Sequence, residues 1–189
     1  MAEEKEIEEK KMPKKVSEEV KAAEAENEAQ EEVSEDTQKG KYMAFYCDEE
    51  CYGISLKYVN EIIGIQPITE IPEVEDYIIG LINLRGKILP VVDVRIRFNK
   101  EPIEYNDRTC IIIVEIKDVV IGLIVDTIAE VVSIADADII PPPTLSKGTN
   151  QPNRFVYGIG RTPEGVKLLI NPEKLIFDSE TVPVEKLEE

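Results

Sequence analysis

The chain has 189 residues, enough for one ordinary domain with a tail or one domain of two small lobes, and 42% of them are hydrophobic, enough for a core. Its net charge of −17 argues against nucleic acid and anionic membrane surfaces, which need clustered Lys and Arg. Histidine is absent, which excludes Ser-His-Asp and Cys-His nucleophile systems, His-ligated zinc and a phospho-accepting histidine within the chain.

Residues 1–39 hold fourteen acidic and seven basic residues and no aromatic. Such a segment buries too little apolar surface to offset its ordering entropy, so a disordered acidic tail is expected. Met1–Lys15 has no apolar stretch of the kind a secretory signal carries. No apolar run reaches the roughly 18 to 20 residues of a membrane span. The expected location is the cytoplasm.

From residue 40 the texture changes to short apolar runs rich in Ile, Val and Tyr. Strands are expected at 42–47, 51–54, 58–65, 78–84, 87–94, 109–117, 119–125, 127–134, 153–160 and 166–171. The breaks carry turn chemistry: Gln66-Pro67, Ile71-Pro72, Arg85-Gly86-Lys87, Asn106-Asp107, Lys117-Asp118 and Thr162 to Gly165. About ten short strands with little helix between them indicate an all-β barrel or sandwich, without βαβ crossovers.

Within this region Cys47 and Cys51 flank Asp48-Glu49-Glu50 at a hairpin tip, so their thiols could lie near one another. A redox pair and half a metal site are the functional readings; ordinary thiols in a reducing compartment are the simpler one, with only Cys110 left over. The acidic clusters Asp48-Glu49-Glu50 and Glu73 to Asp76 lack calcium-loop spacing and read as solvated turns. Arg95-Ile96-Arg97-Phe98 offers one turn of helix. Pro141-Pro142-Pro143 must leave any central ladder, because proline lacks the N–H donor. Asn171-Pro172-Glu173 is a helix start, with Asn at N-cap and Pro at N1, for a short helix to about Asp178; 179–189 reads as a loose end.

A faint echo runs through the strands: Ile79-Gly80-Leu81-Ile82 recurs as Ile121-Gly122-Leu123-Ile124, and Tyr52-Gly53-Ile54 as Tyr157-Gly158-Ile159. Two similar small lobes would produce it. There is no phosphate-binding glycine loop, and Gly158-Ile159-Gly160 runs into a turn instead of a helix. No catalytic constellation emerges, and no cofactor is expected. Paired carboxylates in a cleft and a small-ligand barrel are the competing functions.

One stretch decides between these readings. Gly80-Leu81-Ile82-Asn83-Leu84-Arg85-Gly86-Lys87-Ile88-Leu89-Pro90-Val91-Val92-Asp93-Val94-Arg95, followed by Arg97-Phe98, resembles the signature of CheW-like domains. The similarity extends through Val59 to Ile62, Ile68 to Pro72, Gly122 to Asp126, Glu130 to Val132, Ile139 to Pro142 and Leu168 to Asn171, in order, over about residues 40–178. The resemblance implies two five-stranded SH3-like barrels around a shared core, and an adaptor without catalytic activity. It also implies two partners: the CheW-like regulatory domain of the histidine kinase CheA, and the cytoplasmic tip of methyl-accepting chemotaxis receptors. By position, the receptor-side candidates are Val59, Glu61, Arg85 and Val131; no kinase-side residue is singled out. The long acidic tail and the Cys47/Cys51 pair depart from the pattern.

Overall fold

The computed structural model describes residues 37–143 and 154–178; the expected tail before them and loose end after them lie outside the described residues. In chain order the elements are β1 (Lys41–Cys47), β2 (Glu50–Ser55), a 3-10 turn (Leu56–Tyr58), β3 (Val59–Gly64), β4 (Ile78–Leu84), β5 (Lys87–Asp93) and helix α1 (Val94–Arg97). There follow β6 (Cys110–Ile116), β7 (Val119–Val125), β8 (Thr127–Ser133), a 3-10 turn (Asp136–Asp138), β9 (Ile139–Ile140), β10 (Val156–Thr162), β11 (Gly165–Ile170) and helix α2 (Pro172–Phe177). The two helices start alike. Asp93 accepts from the Arg95 and Ile96 amides, and Asn171 accepts from that of Lys174, which satisfies donors a helix start leaves open.

The strands form two sheets, ordered β3-β6-β7-β5-β4 and β8-β1-β2-β11-β10-β9. Read from β3 and from β8, the first five positions match: two antiparallel pairs, a parallel pair, and a final antiparallel hairpin. Bulges recur at matching places, after Ile78 in β4 and after Val156 in β10. Even the sixth strand has a counterpart, since β9 pairs with β10 as Thr69 bridges to Leu81 of β4. The domain is a structural duplication.

Aligning the two sheets pairs Gly53 with Gly122 and Gly80 with Gly158. Gly53 and Gly158 both neighbour Leu169, and Gly122 and Gly80 both neighbour Val91. The sequence echo is therefore real but crossed, for it matched Gly80 to Gly122 and Gly53 to Gly158. Close packing leaves too little room for a Cβ at all four, and two of them show it plainly. A Cβ on Gly122 would lie 2.7 Å from Ile111 and 2.8 Å from Val91, and one on Gly80, at φ +152°, would lie 2.2 Å from the Thr69 carbonyl oxygen.

The largest buried cluster joins both sheets. Phe45, Tyr52 and Ile170 from one meet Ile112, Val114 and Leu123 from the other, with Phe98 and Phe155 between. Tyr52 and Phe98 have ring centroids 4.7 Å apart, and Phe98 and Phe155 lie 5.8 Å apart, within aromatic contact range. Each sheet also has an interior of its own, around Ile82, Leu89 and Val91 in one and Tyr42, Val132, Ile134 and Leu169 in the other. The expectation of two small β lobes with a common core holds. The six-stranded sheet exceeds the expected five by β9, two residues long and absent from the expected strands.

Candidate functional site

The receptor-side candidates begin on β3, an edge strand whose side chains alternate between half-buried and exposed. Val59 is half-buried and packs against the shared core, so part of it is committed to the fold. Glu61 lies two residues on, its side chain 30% exposed. Arg85 stands on the β4–β5 turn, where Arg85 (φ 52°) and Gly86 (φ 87°) both take left-handed backbone and the Asn83 side chain accepts from the Gly86 amide at 2.9 Å. Two consecutive positive φ values are the hallmark of the tight hairpin turn that matches strand twist. Arginine has no intrinsic liking for that conformation; the hairpin holds it there.

The Arg85 guanidinium grips Glu61 with two parallel bonds, Nη1 to Oε1 at 3.0 Å and Nη2 to Oε2 at 2.7 Å. β3 and β4 are opposite edges of the five-stranded sheet, so the pair spans from edge to edge and the sheet must curl upon itself. The Arg85 side chain is still 75% exposed. Val131 belongs to the other sheet, opposite Met43 on edge strand β8, and is half exposed. The structure thus joins Glu61 to Arg85, keeps Val59 on the same strand, and sets Val131 on the counterpart edge. The duplication aligns Val131 with Ile62, also exposed, which the sequence reading passed over. Alternation alone would have flagged Ile62 as an apolar residue on the outer face of an edge strand.

A second polar cluster joins the lobes. On α1, Arg95 is buried. Its Nη1 donates to Asp126 at 2.6 Å, its Nε donates to the Glu101 carbonyl at 2.9 Å, and its Nη2 lies 3.5 Å from Asp48. Lys100 pairs with Asp48 at 3.4 Å and with Glu50. The Asp48–Glu50 tip is therefore not the merely solvated turn expected from sequence: its two end acids hold cations of the same chain. Glu73, Glu75 and Asp76 are exposed, as expected. Asp93 accepts from the Tyr105 hydroxyl at 2.8 Å as well as capping α1. Arg97, also buried, donates from Nε to the Leu175 carbonyl at 2.8 Å and sits over the rings of Tyr77 and Phe155, at 4.1 and 4.8 Å, so it ties α1 to α2.

The proximity open to Cys47 and Cys51 does not occur. Register pairs Cys47 with Glu50 and Tyr46 with Cys51, so Cys47 and Cys51 point to opposite faces and are not adjacent thiols. All three cysteines are free. Burial pushes the Cys47 thiol up to about 12, with Asp126 adding to it, the opposite of what a nucleophile or metal ligand needs. Among the described residues no group of three or more Cys, Asp or Glu is placed to hold a metal ion, and no helix is long and apolar enough to cross a membrane.

The CheW-like domain family matches residues 41–180. The chain belongs to that family. The chemotaxis protein CheW of Klebsiella aerogenes is 30% identical over 147 residues, covering 78% of this chain and 87% of its own length. The chemotaxis protein CheW of Bacillus subtilis is 39% identical over 103 residues, 54% of this chain and 66% of its own. The crystal structure of the scaffolding protein TtCheW from Thermoanaerobacter tengcongensis superposes with a TM-score of 0.65 at 39% identity, covering 72% of this chain and 91% of that one. CheW proteins act in chemotaxis as coupling adaptors, and the family is one of scaffolds without catalysis.

Proposed function

We propose that this CheW-like protein couples methyl-accepting chemotaxis receptors to the histidine kinase CheA at the receptor array, in the cytoplasm, and turns over no substrate of its own. The observation that carries the reading is the exposed Arg85–Glu61 pair set at the curled edge of a CheW-like lobe. An arginine that keeps most of its surface in solvent while a carboxylate fixes its direction is suited to anchoring a partner, because less rotamer freedom remains to be lost on docking. Ile62 and Val131 supply exposed apolar surface on the two edge strands. A receptor helical hairpin offers the complement: apolar side chains with carboxylates or helix-end carbonyls for the guanidinium. Val59, Glu61, Arg85 and Val131 form the receptor side in this reading.

The test is reconstitution with purified CheA and a receptor cytoplasmic fragment. Receptor-dependent stimulation of kinase autophosphorylation upon adding this protein supports the function. ATP turnover by the protein alone, abolished by a single carboxylate substitution, overturns its non-catalytic part.

A further inference from the structure

The two helices cross between the lobes. α1 leaves the five-stranded sheet, yet its Arg95 meets Asp48 on the β1–β2 tip of the six-stranded one at 3.5 Å. α2 leaves the six-stranded sheet, yet its Glu173 meets Lys117 on the β6–β7 tip at 2.6 Å. The duplication makes these one contact seen twice. Gly122 corresponds to Gly53, so Lys117 corresponds to Asp48; Val91 corresponds to Leu169, so Glu173 corresponds to Arg95. The placement is kept while the signs are exchanged.

The surroundings of the two contacts differ. After α1 the chain stays over the β1–β2 tip: Lys100 pairs with Asp48 at 3.4 Å and with Glu50, and the Glu101 carbonyl accepts from Arg95. In the other lobe Val119 stands for Glu50, Phe177 for Asn99 and Asp178 for Lys100. Val119 and Phe177 are both exposed. They share one patch, because Val119 is two residues from Lys117, Phe177 is one helical turn beyond Glu173, and Lys117 and Glu173 are bonded. Carrying the parallel register of β5 and β7 back by three residues sets Ile88, also exposed, beside Val119. An apolar patch thus lies where the other lobe has an ion pair laid down by the chain that follows its helix.

The chain that follows α2 has the chemistry to cover this patch. The Asp178 carbonyl accepts from Arg97, which fixes where the chain leaves the helix. Residues 179–189 carry Val182, Val184 and Leu187 among Glu180, Glu185, Glu188 and Glu189. The apolar side chains suit Val119 and Phe177, and the acids suit Lys117 and the exposed Lys174, three residues before Phe177. Val182 is four residues beyond Asp178, a reach of up to about 13 Å. Tethered at the margin of the patch, the segment meets it at an effective concentration on the order of millimolar. β7 is already paired on both sides, so a covering segment packs by its side chains, and Pro183 forfeits no ladder bond.

We propose that residues 179–189 strap the five-stranded lobe, laying Val182 and Val184 over Val119 and Phe177 as Lys100 and Glu101 cover the opposite tip. The strap closes the contact between α2 and the β6–β7 tip, so the end of the chain helps to hold the lobes together.

The full chain is compared with a chain ending at Asp178, with the full chain carrying Val182→Ser and Val184→Ser, and with Val119→Ser at both lengths. NMR signals and thermal unfolding are read on the isolated protein, so failure of the strap and failure of the coupling function are told apart. Shortening and the double serine change should move the signals of Ile88, Val119 and Phe177 alike, leave that of Val131 in place, and lower the melting temperature by about 2 to 4 °C. Val119→Ser should cost less in the shortened chain than in the full one, because its contact is already gone. Unmoved signals at the patch, or an equal cost of Val119→Ser at both lengths, overturn the strap. Unmoved signals together with weaker CheA or receptor binding by Phe177→Ser assign the patch to a partner and overturn it as well.

Discussion

Arg95 and Asp126 meet at 2.6 Å where the two sheets join: Arg95 lies on the helix that leaves β5, and Asp126 is the single residue between β7 of one sheet and β8 of the other. Their side chains are 10% and 18% exposed, so each charge depends on the other. Asp126 also accepts from the Asp48 amide at 2.7 Å, which fixes the β1–β2 tip to the same junction. Arg95→Met should lower stability by about 3 kcal/mol, since it strands a shielded carboxylate. The double change Arg95→Met with Asp126→Leu should recover much of that loss. Urea midpoints of the single and double variants decide, and equal destabilisation by both would show that the arginine acts through packing alone.

The receptor face separates function from stability. Because Arg85 is mostly in solvent, Arg85→Ala should change folding stability by less than about 1 kcal/mol. Receptor affinity should fall about five- to hundredfold, as for an interface anchor. Val131→Glu should do likewise while kinase binding persists. Parallel loss of stability and both affinities would mark Arg85 as a brace for the hairpin and nothing more.

Alkaline pH should reveal the buried thiol. Burial first, then Asp126, raises Cys47 from its ordinary 9.0 to about 12. A raised folded value means the native state holds its proton longer than the unfolded chain does, so the contribution is complete below pH 9 and is lost as pH climbs towards 12. Burial shifts Tyr52, Tyr105 and Tyr157 in the same sense from 10.0. Stability should thus be level with respect to these groups up to pH 9 and decline above it, and Cys47 should resist thiol reagents at pH 8 in the native protein. A denaturant midpoint that rises between pH 9 and 11 would contradict the assignment.

The glycines offer a graded series. Gly80→Ala places a Cβ against the backbone oxygen of Thr69 and should cost about 3 kcal/mol or more. Gly64 has open space around it and no positive φ, so Gly64→Ala should be neutral or stabilising by up to about 1 kcal/mol. Thermal unfolding of the two variants ranks them directly; similar losses at both positions would contradict the packing account.

How far the sequence led is clearest element by element. The ten expected strands were legible because each is an apolar run bounded by turn residues. β9 was not, for Ile139–Ile140 is too short for periodicity to register ahead of three prolines. The Glu61–Arg85 pair was invisible as a contact: 24 residues separate the two, and only the curl of the sheet brings its edges together. Cys47 and Cys51 could meet only across a wider tip, whereas a two-residue loop pairs Cys47 with Glu50 and turns Cys51 to the opposite face. Val119 was hidden at the start of an apparently ordinary strand; its unlikeness to Glu50 became visible only when the duplication set the two hairpin tips side by side.

The order in which the chain visits its two sheets bears on how the protein is made. β1 and β2 begin the six-stranded sheet, the five-stranded sheet is then built entirely from β3 to β7, and the first sheet is resumed only with β8. β2 finds its parallel neighbour when Tyr52 pairs with Leu168, nearly at the end of the described chain. During synthesis the first hairpin must therefore wait for the last one, its open edge at risk of pairing with a wrong strand. The five-stranded lobe closes on contacts that are local by comparison and has every strand it needs once Val125 has left the ribosome. Loop-closure entropy favours that lobe as the earlier to form, with the ends of the domain zipping together last around a finished centre.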